Sequence, residues 1–366
     1  MTSFPHPSPP SPVNWPEPAR AEAHRRARLD YLDGWRGASI LLVLAGHFLH
    51  IPVLEAGKLG VELFFVLSGR LMAEILFIER MPLRHFYPRR IARIYPALLV
   101  MIAVSTLALA HTSMAIGPKY AAAAALLVYN YAAALGYHAG AIDHIWSLCV
   151  EEHAYLTLGL IAALTARRPA RAWALLLALS LLAMANGVIS TAVLGQNWYQ
   201  SYWRSDVHIA SILIPAVLFL SRQWHPQWWA VRAWMIPAAL VVGAACFAGD
   251  LNHPPVWTGT LGTIAIAFAL VWLDRGPVWL VRALSWRGLC AVGLLSYSLY
   301  LWQQPFYIHA RDGDLALRMA SLAGAAVMAL ISYYAVERPA RSWLNLHYKR
   351  WLAQRRAMPQ AMGAEG

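Results

Sequence analysis

The stretch Gly34-Trp35-Arg36-Gly37-Ala38-Ser39-Ile40-Leu41-Leu42-Val43-Leu44-Ala45-Gly46-His47 sets a guanidinium and an imidazole into an otherwise apolar run. Eleven helical steps turn through about three revolutions, so both side chains lie on one face, roughly 16 Å apart along the axis. Ionisable groups at membrane depth are costly and point to function by default. In the plainer reading, Arg36 snorkels from a helix end and His47 is a hydrogen-bonded bundle histidine. In its rival, His47 acts as general base or proton relay while Arg36 binds an anionic group near the cytosolic face. Imidazole suits that task because its ordinary pKa lies near neutral.

The rest of the chain extends this membrane reading. Its 366 residues are 59% hydrophobic and only 13% charged, where a soluble domain carries about a quarter charged residues. The expected fold is an all-α, polytopic bundle of membrane-spanning helices. A formal charge of +12 could suggest nucleic acid. The basic residues, however, fall in short loops between apolar runs, which is a topological pattern, so no nucleic-acid partner is expected. Cys149, Cys246 and Cys290 lie in apolar surroundings without CxxC spacing and read as packing residues. Residues 1–28, with prolines at 5, 7, 9, 10, 12, 16 and 18, are expected to form a disordered tail. A membrane domain over 29–345 and a cytosolic C-terminal tail over 346–366 complete the expected organisation, with no appended soluble catalytic domain.

Spans of about 20 apolar residues are expected at 34–53, 58–79, 94–111, 146–165, 171–190, 207–221, 233–249, 256–273, 288–308 and 315–336. A further apolar stretch, 120–137, is treated as re-entrant or interfacial. With that assignment the arginine clusters near 20–28, 80–93, 167–171, 222–232, 275–287 and 338–356 all become cytosolic, as the positive-inside bias requires. Ten spans with both termini in the cytosol follow. The far-side loops 112–145 and 191–206 are rich in aromatics, among them Tyr120, Trp198, Tyr199, Tyr202 and Trp203. An interfacial belt is the ordinary reading of such residues, and a carbohydrate platform the functional one.

Three more segments carry candidate chemistry. Glu62, Arg70 and Glu74 fall within or near the second span, where Arg70 and Glu74 can neutralise each other at i, i+4. Ser68-Gly69 offers a small surface for close helix approach. Arg90 and Arg93, one turn apart after a basic loop, could jointly grip phosphates, although topogenic charge is the simpler account. His144, Trp146, Ser147, Glu151, Glu152 and Tyr155 crowd the expected far-side start of the fourth span. Adjacent carboxylates diverge by about 100°, so one is expected to face the bundle and the other the headgroups. The histidines are too scattered for a zinc claim, and no metal is expected. No GxGxxG, P-loop or GxSxG element supports nucleotide folds or a covalent serine mechanism.

In this order, the segments resemble the acyltransferase 3 family of membrane acyltransferases, bacterial O-acetyltransferases among them, over roughly 30–345. Arg36 and His47 match its first-span signature, Gly60 to Leu71 its second-span motif, and Arg90 with Arg93 its cytosolic RxxR. His144-Ile145-Trp146-Ser147-Leu148 with Glu151 is similar to its WSL…E segment. Ser296-Tyr297-Ser298-Leu299-Tyr300-Leu301-Trp302 and Glu337-Arg338-Pro339 resemble its last motifs. Arg70 replaces a usual aromatic, His153-Ala154 a common Gln-Phe, and Gln303 a frequent histidine. The resemblance implies transfer of an acyl group, most often acetyl, from acyl-coenzyme A to a hydroxyl, commonly of a surface carbohydrate. It implies a multi-pass protein of the bacterial inner membrane. It also implies donor phosphates on Arg90, Arg93 and Arg36, with His47 as base. Glu151 or His144 would orient the acceptor, with Trp146, Ser147, Glu62 and Tyr155 around it. Acylation of a small secreted metabolite, a proton-coupled transporter using the intramembrane charges, and a glycan-binding scaffold without turnover stay open as alternatives.

Overall fold

The computed structural model describes residues 17–362 apart from 50, 52, 167 and 249–256. The chain builds α1 (Glu17–Phe48), α2 (Ala56–Ala73), α3 (Leu83–Ala108), α4 (Pro118–Ala125), α5 (Tyr129–Ala134), α6 (Ile145–Leu164), α7 (Pro169–Val188) and α8 (Trp198–Tyr202). It continues through α9 (Ser205–His208), α10 (Ala210–Trp224), α11 (Met235–Ala245), α12 (Thr263–Val271), α13 (Val278–Leu284), α14 (Arg287–Ala310), α15 (Leu315–Ser332) and α16 (Arg338–Met362). Each apolar run expected to span is helical over most of its described length. The segments at Glu74–Ile78, Ile189–Val193, Trp257–Gly262 and Tyr333–Glu337 widen into π-helix.

Among the described residues, five helices are by themselves long and apolar enough to cross a membrane: Leu83–Ala108, Ile145–Leu164, Pro169–Val193, Ser205–Trp224 and Leu315–Tyr348. A sixth forms if α13 and α14, bent by 51°, are taken as one span. The ten expected spans are therefore not all matched, and the reasons are physical. The second run carries Lys58, Glu62 and Arg70, while α11 and the apolar helix Gly259–Val271 are short of the roughly 20 residues a bilayer needs. The surface is nonetheless that of an integral membrane protein. Leu156, Leu160 and Leu164 form an exposed ridge on successive turns of α6, and lipid is the solvent that tolerates such a ridge.

Two expected boundaries move. α1 is helical from Glu17, the first described residue, and the Ala, Arg and Glu residues over 17–28 are strong helix formers. The expected disorder of 1–16 lies outside the described residues. At the other end, α16 runs through Met362, so the described part of the expected C-terminal tail is helical.

The stretch 120–137 forms no single helix long enough to cross. It breaks into α4 and α5 around Leu127, whose φ of 55° lies in the left-handed region. Tyr129 donates its hydroxyl to Asp143 and accepts from the Ala139 amide at 2.8 Å, tying this hairpin to the approach of α6. Burial, with the Asp143 carboxylate beside it, pushes the Tyr129 phenol far above its ordinary range, so it stays a donor. Asn130 adds a bond to Ser205 Oγ at 2.9 Å.

In the bundle, α1 packs lengthwise between α2 and α14; α10 lies against α2 and α7, and α12 against α10 and α2. Close approach depends on missing side chains. A Cβ on Gly46 would sit 2.3 Å from the Gly57 nitrogen, and one on Gly69 would sit 1.9 Å from the Ile212 carbonyl oxygen. Small residues of this kind are how membrane helices bring their backbones together.

Candidate active site

A cavity of about 530 Å³ opens on the face that carries the arginine clusters, where α1, α2, α3, α6, α14 and α16 converge. Five arginines line it: Arg36 from α1, Arg89, Arg90 and Arg93 from α3, and Arg341 from α16. Glu151 is the carboxylate among the lining residues. The inner wall is apolar, chiefly Phe64, Leu67, Leu71 and Ile75 on α2. The pocket thus combines a cationic mouth with an oily shaft.

The arginines are not equivalent. Arg90 Nη2 lies 3.5 Å from Glu151 and 3.4 Å from Glu152, and its guanidinium rests 3.9 Å from the Tyr155 ring centroid. Glu151 also accepts from Ser68 Oγ at 2.6 Å and from the Tyr155 hydroxyl. Arg90 and Glu151 therefore hold each other, and both adjacent carboxylates turn to one guanidinium rather than diverging. Arg36 is partnered by Asp33 at 2.5 Å. Among the described residues, Arg93 and Arg341 make no hydrogen bond to protein. Arg89, which reaches the Met81 sulfur at 3.8 Å, likewise has no carboxylate partner among the described residues.

α6 does not begin at the far surface as expected. The α4–α5 hairpin covers its start, so Ile145, Trp146 and His144 are buried, and Glu151 is carried down to the arginine cavity. Ser147 Oγ and Tyr300 OH, 2.6 Å apart, close the cavity floor, with Tyr300 also donating to the His144 carbonyl at 2.9 Å. Behind that floor the His144 ring sits 5.3 Å from Tyr300.

His47 is absent from the cavity lining and lies one helical turn further along. Tyr300, Gln303 and Tyr307 share one face of α14, at i, i+3 and i+7. Gln303 Oε1 is 2.6 Å from His47 Nδ1, and the Tyr307 ring stacks on the imidazole at 4.4 Å. Gln303 Nε2 donates to Gln304 Oε1 at 3.3 Å, which turns its oxygen towards His47. With the Gln303 oxygen so placed, Nδ1 is the ring nitrogen that donates and Nε2 the one left as acceptor. That nitrogen faces Gly57, where an added Cβ would lie 3.7 Å away.

The expected site residues thus separate into three places. Arg36, Arg90, Arg93, Ser147, Glu151 and Tyr155 share the cavity. His47 and His144 occupy the layer behind its floor. Glu62 and Trp146 belong to neither: Glu62, almost fully buried, accepts from Thr263 and lies 3.3 Å from His208 Nε2, while Trp146 packs on Tyr202 and His208. Arg70 and Glu74 pair at 3.1 Å, the mutual neutralisation their spacing suggests.

Several contributors went unremarked in the sequence. Arg341 and Asn345 were hidden in an arginine cluster that topology already explains, although their i, i+4 spacing is a signal of one face. His208, alone in an apolar run, carries the same signal as His47. Ser298 Oγ donates to Glu337 at 2.8 Å, joining two motif segments through a buried bond. Among the described residues no group of three His, Cys, Asp or Glu could hold a metal ion.

With this geometry described, comparison with known proteins adds the following. A family model described as "Acyltransferase domain" matches residues 29–337. O-acetyltransferase OatA of Staphylococcus aureus (strain NCTC 8325 / PS 47) is 26% identical over 353 residues, covering 85% of this chain. The chain spans 57% of that relative's length. A protein of Komagataeibacter xylinus described as "Putative membrane-bound transacylase BcsY" is 27% identical over 374 residues, covering 93% of this chain and 90% of its own. No solved structure matches the chain.

Proposed function

The chain belongs to this acyltransferase family, and from that premise we propose that it moves an acyl group, acetyl first among candidates, from acyl-coenzyme A to a carbohydrate hydroxyl such as that of a surface polysaccharide. The bacterial inner membrane is the setting this reading requires, with the thioester supplied from the cytosol. The observation that carries it is the pairing of a five-arginine cavity with an imidazole, held through Nδ1 by Gln303, one turn behind the cavity floor.

In this reading Arg93, Arg341 and Arg36 take the donor phosphates through charge-assisted bonds. Arg90, neutralised by Glu151 and Glu152, holds the shape of the site. The apolar wall on α2 takes the pantetheine arm, and the thioester reaches His47 when the Ser147–Tyr300 hydrogen bond that closes the floor opens. There the acceptor oxygen bonds to the thioester carbonyl carbon and the C–S bond breaks. The hydroxyl proton goes to His47 Nε2 and then to the leaving thiolate, so coenzyme A departs as a thiol. Gln303 and Tyr307 fix the ring that takes the proton.

The test uses the protein reconstituted in vesicles with acetyl-coenzyme A and extracted surface glycan. Thioester consumption with matching ester acetyl signals by NMR is the expected result, and His47→Ala should abolish it while donor binding persists. Full activity in that variant would remove His47 from the reaction. A scaffold would bind the glycan and leave the thioester intact.

A further inference from the structure

Beside the arginine cavity lies a second hollow of about 320 Å³, continuous with it through the shared residues Met81, Arg89 and Asn345. Its walls differ in character. His85 at the start of α3 and Tyr348 on α16 present two rings nearly at right angles, 72° between planes and 5.9 Å between centroids. Tyr348 OH reaches His85 Nδ1 at 3.1 Å and also donates to the Arg84 carbonyl, which fixes this corner. Glu79 adds a carboxylate to the lining and Asn345 an amide.

We propose that this hollow is a purine subsite, receiving the adenine end of the thioester donor while the arginine cavity receives its phosphates and arm. The inference deepens the donor reading above and rests on it. Charge separates the two hollows: the cavity has five arginines lining it, whereas a single arginine, Arg89, and the carboxylate Glu79 line the second. A carboxylate repels a phosphate but accepts from the exocyclic amine of adenine, and aromatic faces stack on bases without regard to phosphate. The amide of Asn345 adds both a donor and an acceptor for a purine edge. Arg89, shared by both hollows, stands at the junction where sugar phosphate would lie.

The experiment compares two ligands on the full chain in detergent by calorimetry. Coenzyme A carries the adenine nucleotide; 4′-phosphopantetheine has the same arm without it. Tyr348→Ala should weaken coenzyme A roughly tenfold, the scale of one lost base–aromatic stack, and leave phosphopantetheine unchanged. Glu79→Gln, which leaves the ring corner intact, should erase the preference for coenzyme A over its hypoxanthine analogue. Equal loss for both ligands in Tyr348→Ala would mean that the ring only holds α16 in place, and no loss for either would put the base elsewhere; each overturns the subsite. If the unmodified protein binds neither ligand, the donor reading falls with it, whereas binding of both with equal affinity sinks the subsite alone.

Discussion

His47 and Gly57 form a pair whose chemistry can be separated from folding. Alanine at 57 would meet His47 Nε2 in ordinary van der Waals contact at 3.7 Å, within a helix that alanine favours. Gly57→Ala should therefore keep or raise stability, by up to about 1 kcal/mol, while acyl transfer falls steeply because the acceptor nitrogen is covered. Thermal unfolding and turnover measured together check this; full turnover would show that Nε2 is not the working atom. Arg93→Ala should weaken donor binding by about 2 kcal/mol, roughly thirtyfold in Kd, with an unchanged unfolding midpoint. Arg90→Ala, by contrast, strands two carboxylates and should lower the midpoint as well. Arg36 and His47 could be singled out from sequence because ionisable groups in an apolar run stand out on cost alone. The Gln303 contact could not, since its partner lies 256 residues away and amides carry no such penalty signal. Arg341 was masked because arginines at span ends have a topological explanation that leaves no residue unexplained.

At the scale of elements, the apolar runs located nearly every helix, since a 3.6-residue apolar period and length are local properties. What they could not locate was depth. Nothing within 145–164 says that α6 starts beneath the α4–α5 hairpin, because that follows from Tyr129, Asp143, Asn130 and Ser205 bonding across the chain. The expected far-side position of Glu151 failed for this reason. Crossing points are more legible, since Ser68-Gly69 was readable as a close-approach surface. Gly69→Ala drives a methyl into the Ile212 carbonyl 1.9 Å away, so α2 and α10 must separate. A loss of about 1–3 kcal/mol is expected, read as a lower unfolding midpoint in detergent. Unaltered stability would show that the two helices have slack there.

At the scale of the whole molecule, Leu315–Tyr348 is one long helical rod with a π-helical stretch at Tyr333–Glu337, anchored by the buried Ser298–Glu337 bond. Its first half belongs to the bundle and its second half reaches over the cavity mouth with Arg341 and Asn345. The family match ends at 337, short of both residues. A chain cut after Pro339 would keep every motif quoted above and should still insert and melt cooperatively, yet bind donor at least tenfold more weakly, losing one guanidinium of the cradle. Calorimetry on the shortened protein tests this directly. The matched domain and the cavity wall therefore have different edges here: the first stops at Glu337, while part of the rim is built by the helix that follows it.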